Sequence, residues 1–217
     1  MKIKALIAAR SGSMRVKNKN IRPFAGSTLL EVKIEQLLRI PQLDGIVVNS
    51  NDDEILGIAQ KYGVETVKRD AYYASNVVSM NEVYKNMAEH VDADVIVYAN
   101  CTNPLLADAT ITKAIELYKE KSQQGFDSLN TAHLIKEFMF QDNKPINFAI
   151  ERMPRSQDLP DISALNFAVN ILTREDMIAR KTVIGANPYI FNIDEVEATD
   201  IDNEIDFAFA EYMYNNK

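Results

Sequence analysis

Acidic residues are missing from the start of this chain: no Asp or Glu occurs before Glu31, whereas seven Lys and Arg do. In a protein of 217 residues and formal net charge −7, general solubility does not account for so local an excess of positive charge. Cysteine is nearly absent. Cys101 is the single one, which excludes an intramolecular disulfide framework and suits a reducing compartment. No apolar run approaches the roughly 20 residues of a membrane span, and the N-terminus has no signal-peptide core, so a cytoplasmic protein with no membrane partner is expected. Glycine is scarce where nucleotide loops are richest in it. Gly12 has neither the second glycine and Lys-Ser/Thr ending of a Walker A loop nor the spacing of a Gly-x-Gly-x-x-Gly fingerprint. There is no internal repeat and no low-complexity tract. The overall negative charge also speaks against a nucleic-acid binder.

What is present centres on Ile7–Asn20. An apolar run, Lys4–Ala9, reads as a buried first strand; it breaks into Ser11-Gly12-Ser13 and then turns basic with Arg10, Arg15, Lys17, Lys19 and Arg22. A strand ending in small residues and cations presents backbone N–H groups and positive charge to phosphate. The alternative is a solvated basic loop.

Strand and helix patterns then alternate. Ser27-Thr28 caps a helix with Leu29, Leu30, Val32, Ile34, Leu37 and Leu38 as its apolar face, stopped by Pro41. Strands follow at 45–50, 65–68, 94–98, 127–131, 167–172 and 189–193. Helices are expected from 51 to 63, 81 to 90, 109 to 119, 173 to 180 and from Glu204 onward. Alternation at these lengths predicts one α/β domain over 1–217 with a mostly parallel sheet. Ligands bind such sheets at the carboxyl ends of the strands, so the loops after Ala9, Ser50, Lys68 and Tyr98 should converge. From His133 to Pro160 the rhythm fails. Pro145, Pro154 and Pro160 punctuate an excursion carrying Phe138, Met139, Phe140 and Phe148, whose apolar side chains call for cover by a second subunit.

The C-terminal stretch mirrors the N-terminal one in charge. From Pro188 onward there are eight carboxylates and one lysine. Asp200 and Asp202 lie on one side of an extended backbone, a spacing of hard oxygen ligands that suits Mg²⁺. Equally, Asp202 can cap the last helix with Asp200 solvated. Cys101 reads as a small apolar filler, His90 as a helix cap or surface residue, and Tyr72-Tyr73 as packing, with Tyr73 near enough to Arg69 in sequence to line a site. His133 opens the excursion within reach of a ligand.

Taken together, these segments resemble the acylneuraminate cytidylyltransferase family, which activates sialic acid and related nine-carbon keto-sugar acids as CMP conjugates. The family's Ala-Arg-x-Gly-Ser and Lys-Asn-Ile motif stands as Ala9–Ser13 and Lys19-Asn20-Ile21. Its Ser-Thr-Asp-Asp-Glu-Ile motif is similar to Asn49–Ile55, and its Arg-Pro-x-x-Leu-Ala-x-Asp segment to Arg69–Asn76. Arg155–Pro160 matches Arg-x-Gln-Asp-Leu-Pro, and Asp200–Phe207 matches Asp-Ile-Asp-x-x-x-Asp-Phe.

The resemblance implies a Rossmann-like nucleotidyltransferase fold, with 133–160 swapped across a homodimer. It implies CTP and a sugar-acid acceptor as substrates and Mg²⁺ as cofactor. Ala9, Arg10, Ser11, Gly12, Ser13, Lys19, Asn20 and Arg69 would hold the nucleotide, and Asp200 and Asp202 the metal. Asn100, Arg155 and Gln157 would meet the acceptor, Arg155 as a guanidinium for its carboxylate. Arg10, Lys19 and Asp202 would carry the catalysis. Departures cluster at the acceptor side. The family's Gln-Pro-Thr-Ser-Pro-Leu-Arg becomes Asn100–Leu106, losing a methylene at its first residue and the arginine at its last. Phe167 replaces a glycine. A shorter amide and a bulkier wall point to a sugar acid other than ordinary sialic acid. Two rival readings are a same-fold transferase with another nucleotide or acceptor, and a non-catalytic nucleotide or sugar-phosphate binder.

Overall fold

A computed structural model of the chain describes every residue except Met14, Asn76 and Lys217. In chain order the elements are β1 (Ile3–Ala8), β2 (Pro23–Phe24), β3 (Ser27–Thr28), α1 (Leu29–Leu38), β4 (Gly45–Ser50), α2 (Asp53–Lys61) and β5 (Glu65–Lys68). There follow α3 (Met80–Glu89), β6 (Val95–Ala99), α4 (Asp108–Ser122), β7 (Ser128–Ile135), β8 (Phe140–Gln141) and β9 (Lys144–Pro145). The chain closes with β10 (Ile162–Thr173), α5 (Arg174–Arg180), β11 (Pro188–Asn192) and α6 (Glu204–Asn215). Seven strands form one sheet in the order β11-β7-β10-β6-β1-β4-β5. β1, β4, β5 and β6 are parallel; β10 runs antiparallel to both β6 and β7, and β11 is parallel to β7. The sheet is therefore mostly parallel, as expected.

Alternation along β1 explains the layering. Ile3, Ala5 and Ile7 face a core built with α1, α2, α4 and α6, while Leu6 faces a second core built with α3 and α5. Both faces are covered, which is why the parallel strands read as nearly continuous apolar runs. Helix starts follow local chemistry. Thr28, Asp52, Ser79 and Thr173 cap α1, α2, α3 and α5 with side-chain oxygens accepting from the first turn. On α1 the expected apolar face is only partly right. Leu38 is exposed at 54%, while Lys33 and Gln36 are buried.

The break in rhythm begins after Ile135, not at His133. β7 continues through His133, which pairs with Ala164 of β10, so β7 and β10 leave the sheet together as a two-stranded ribbon. The ribbon's pairing shifts between Leu165 and Asn170, and within this bulge Phe167 adopts φ +54°. A bulky side chain in the left-handed region is strained; Asn166 steadies it by accepting from Ala168 N at 3.1 Å and from Thr131 Oγ1 at 2.7 Å. Beyond the ribbon, Phe138 and Phe140 stack edge-on against Phe148 around the β8–β9 hairpin. Phe138, Phe140, Ile146, Ile150 and Met153 remain exposed.

Candidate active site

The parallel strands bring their carboxyl ends to one edge, and the loops after β1, β4, β5 and β6 meet there. Ala9 N donates to Asn49 O at 3.1 Å. Ser11 N donates to Asn51 Oδ1, and Asn51 Nδ2 returns a bond to Ser11 Oγ at 2.9 Å. The loop after β1 is thus pinned to the loop after β4. Gly12 takes φ +79°, the one point in the Ser11–Ser13 turn where a side chain would strain the backbone. Arg10 reaches across to the Ala71–Ala74 turn and donates to Ala74 O at 3.0 Å.

Two clefts open at this edge and share Ala8 and Arg10. The first, about 360 Å³, is walled by Tyr73, Val78, Val83, Met87 and Tyr98, with Arg69 at its base. Arg69 is 5% exposed, and its guanidinium donates to Asn49 Oδ1 at 2.6 Å and Asn49 O at 3.0 Å. Burial pushes the guanidinium below its ordinary pKa. The second cleft, about 510 Å³, is lined by charge: Arg10, Arg15, Lys19, Asp200 and Asp202, with Ser13, Asn20, Asn100 and Thr102.

The basic loop and the acidic turn after β11 meet in the second cleft. Lys19 Nζ donates to Ile201 O and lies 4.0 Å from Asp202 Oδ1; Arg15 Nη2 lies 2.8 Å from the same oxygen. Burial pulls the Lys19 ammonium down, against the pull of both aspartates. Asp200 is pushed up by burial, with the Thr102 hydroxyl acting in the opposite direction, and its Oδ1 is buried without a hydrogen-bond partner. The structural alternative for these aspartates does not hold: Asn203, not Asp202, caps α6, in a reciprocal box with Asp206, and Asp200 is half-buried with its Oδ1 out of contact with water. Among the described residues no group of three or more His, Cys, Asp and Glu is placed to cage a metal.

Most of the expected site residues are brought together here: Arg10, Ser13, Lys19, Asn20, Asn100, Asp200 and Asp202 line the second cleft and Arg69 the first. Ala9 differs. Its side chain is buried in the core and its N–H is taken by Asn49, so it carries the strand into the loop and has no donor left for a ligand. Ser11 N is likewise held by Asn51. Arg155 and Gln157 line neither cleft; they stand at the exposed end of the ribbon, Arg155 within 3.9 Å of Asp158. Asn76, the end of the Arg69–Asn76 segment, lies outside the described residues. Arg15 and Thr102 also line the second cleft; the basic run around Arg15 and the Asn100–Leu106 motif that contains Thr102 were the available signals. Tyr73 does line the first cleft. Cys101 is buried, its thiol pushed up to about 12 by burial, as suits a filler. His90 ends α3 with Nδ1 2.7 Å from Asn86 O. His133 Nδ1 is buried in the ribbon without a partner.

The mostly parallel sheet, with a basic loop after its first strand, an apolar-walled cleft beside it and a pair of aspartates facing the loop, has the architecture of the nucleotidyltransferase fold. The fold matches solved structures of that class: a CMP:2-keto-3-deoxy-manno-octonic acid synthetase complexed with CTP aligns over 100% of this chain and 99% of its own, with a TM-score of 0.71 at 11% identity. A 4-diphosphocytidyl-2C-methyl-D-erythritol synthase from Anaerococcus prevotii aligns over 98% of this chain and 96% of its own, also with a TM-score of 0.71, at 13% identity. The cytidylyltransferase family model matches residues 4–148, and the chain belongs to that family. Similar proteins include the post-translational flagellin modification protein B of Campylobacter coli, 28% identical over 97% of this chain and 94% of the relative. The CMP-N,N'-diacetyllegionaminic acid synthase of Campylobacter jejuni is 29% identical over the same shares. A pseudaminic acid cytidylyltransferase of Campylobacter jejuni is 28% identical over 99% of this chain and 97% of its own. The protein is thus a CTP-using nucleotidyltransferase.

Proposed function

We propose that the protein transfers CMP from CTP to a hydroxyl of a nine-carbon keto-sugar acid of the legionaminic or pseudaminic kind, releasing pyrophosphate. The observation that carries this reading is the joining of two unlike clefts at Arg10. An apolar, aromatic-walled slot with a buried guanidinium suits a base and ribose; the neighbouring charged cleft suits a triphosphate and a second substrate. Two of the relatives are named for legionaminic and pseudaminic acids, and the shorter Asn100 lines the charged cleft, where the second substrate would lie.

In this reading Arg10, Arg15, Lys19 and Ser13 take the phosphates. Asp200 and Asp202 fit Mg²⁺: Asp200 Oδ1 is a buried oxygen without a partner, beside a second carboxylate. Two carboxylates are enough for an ion that keeps water and phosphate oxygens as its remaining ligands. When bound, Mg²⁺ neutralises charge on the reacting phosphate. The chain's own residues do the rest. The acceptor hydroxyl oxygen bonds to the α-phosphorus as the bond from that phosphorus to the bridging oxygen of pyrophosphate breaks. Lys19 and Arg10 offset the charge that gathers on the departing pyrophosphate. The hydroxyl proton leaves to water as the new bond forms. Placement supplies most of the acceleration.

The ribbon completes the acceptor site from a second copy. Its exposed Phe138, Phe140, Ile146, Ile150 and Met153 form an apolar surface suited to a homodimer, and Arg155 and Gln157 line neither of the two described clefts. The free buried cysteine suits the cytoplasm. Nucleotide choice tests the reading. Pyrophosphate release with CTP should exceed that with UTP, ATP or GTP by about 100-fold in kcat/KM. Equal use of UTP or ATP would overturn it.

A further inference from the structure

α1 carries a lysine in the middle of its buried face. Lys33 is 0% exposed, and its Nζ donates to Gln36 Oε1 at 2.6 Å and to Asn103 O at 3.2 Å. Withdrawing an ammonium from water is strongly unfavourable unless oxygens replace its hydration, and an apolar residue of the same length would fill this space without that penalty. The lysine therefore does something that filling alone does not.

Its bonds lead to the active site. Gln36 Nε2 donates to Leu106 O at 2.6 Å, so Lys33 and Gln36 hold the Asn100–Leu106 loop from beneath at two carbonyls. Asn103 is also fully buried, and its Nδ2 donates to Thr199 O at 3.0 Å. One residue earlier, Thr102 O accepts from Ile201 N at 2.9 Å. Asn100, Thr102, Asp200 and Asp202 all line the charged cleft, so the joined loop and turn form a continuous part of its lining. Lys33 thus stands under the joint between the loop and the turn.

We propose that Lys33 is a positioning residue: its buried ammonium, through Gln36 and Asn103, locks the Asn100–Leu106 loop to the Ala198–Asp202 turn and so fixes how Asn100, Thr102, Asp200 and Asp202 stand in the cleft. The lock itself is a property of the fold; its consequence for turnover rests on the function proposed above.

Lys33→Met keeps the chain length and removes the ammonium. Backbone hydrogen exchange of the full-length variant, without ligand, should be about tenfold faster in peptides covering 98–107 and 195–203, and unchanged in peptides from β4, α2 and β5. The melting temperature should fall by no more than a few degrees, because loss of the buried charge offsets the acceptors Gln36 Oε1 and Asn103 O that it leaves without its donor. With CTP, Mg²⁺ and whichever of legionaminic or pseudaminic acid the wild type uses better, kcat should drop 10- to 100-fold, on the order expected for small misplacement, with KM for CTP within about twofold. Gln36→Met, which breaks the neighbouring link to Leu106, carries the same expectations if Lys33→Met does not fold. Unchanged exchange in both peptides, or the same acceleration along the whole chain, would overturn the lock. Local loosening with unchanged kcat would overturn the positioning role. A wild type that turns over neither acid would sink the proposed function while leaving the exchange experiment to decide the lock.

Discussion

Arg15 and Asp202 form an ion pair with Nη2 2.8 Å from Oδ1, and this contact closes the basic loop after β1 onto the acidic turn after β11. Both side chains are substantially exposed, so the pair adds at most about 1 kcal/mol to stability. Its meaning lies in placement: in the proposed reading, phosphate entering the second cleft would meet Arg15 already oriented, with Lys19 Nζ 4.0 Å from the same carboxylate oxygen.

Arg15→Ala should therefore leave the melting temperature within about 2 °C of wild type, as expected for an exposed pair. KM for CTP should rise about tenfold with the loss of a charge-assisted phosphate contact. Steady-state kinetics beside a thermal melt check both. A large loss of stability with unchanged KM would make the pair purely structural.

Metal dependence should reside in the two aspartates. EDTA should abolish turnover and Mg²⁺ restore it. Calorimetric titration should show CTP binding strengthened by Mg²⁺ in the wild type and unaffected by it in Asp202→Ala. Turnover that survives chelation would contradict the assignment of Asp200 and Asp202.

Phe167 sets strain against burial. Its left-handed backbone costs about 1–2 kcal/mol, and its half-buried ring returns a similar amount, so Phe167→Gly should shift the melting temperature by only a few degrees. The kcat/KM ratio between legionaminic and pseudaminic acids should change by about tenfold, the effect of reshaping an apolar wall. A ratio that moves less than twofold would remove Phe167 from the acceptor site.

The ribbon's role is open to complementation. Arg155→Ala and Asp202→Ala should each be inactive. Dissociated, mixed in equal amounts and reassociated, they should recover about a quarter of wild-type activity, since half the dimers are mixed and each has one intact site. No recovery, with mixed dimers shown to form, would place Arg155 in its own protomer's site.

Much of this was legible in the chain. Alternation at β1, β4 and β6 and the caps at Thr28 and Asp52 give the parallel half and the convergence of its loops, because periodicity and local hydrogen bonding decide those elements. The direction of β10 was not legible, since an apolar run has the same pattern read either way. Its first residues, Ile162–Asn166, were hidden by Ser163 and Asn166, which interrupt the run where the ribbon leaves the core. Lys33 looked like an ordinary polar break in the face of α1; only the loop folded beneath it, 70 positions on, gives it partners. The position of Arg155 was not legible, because the length and path of the ribbon that carries it away from both clefts are set by pairing between β7 and β10.

The most direct test of the account is product analysis. The protein is incubated with CTP, Mg²⁺ and legionaminic or pseudaminic acid, and the mixture is resolved by mass. The account predicts a CMP–sugar acid conjugate and pyrophosphate in equal amounts, dependent on both substrates. Intact CTP and sugar acid after incubation with folded protein, together with no measurable CTP binding, would contradict it.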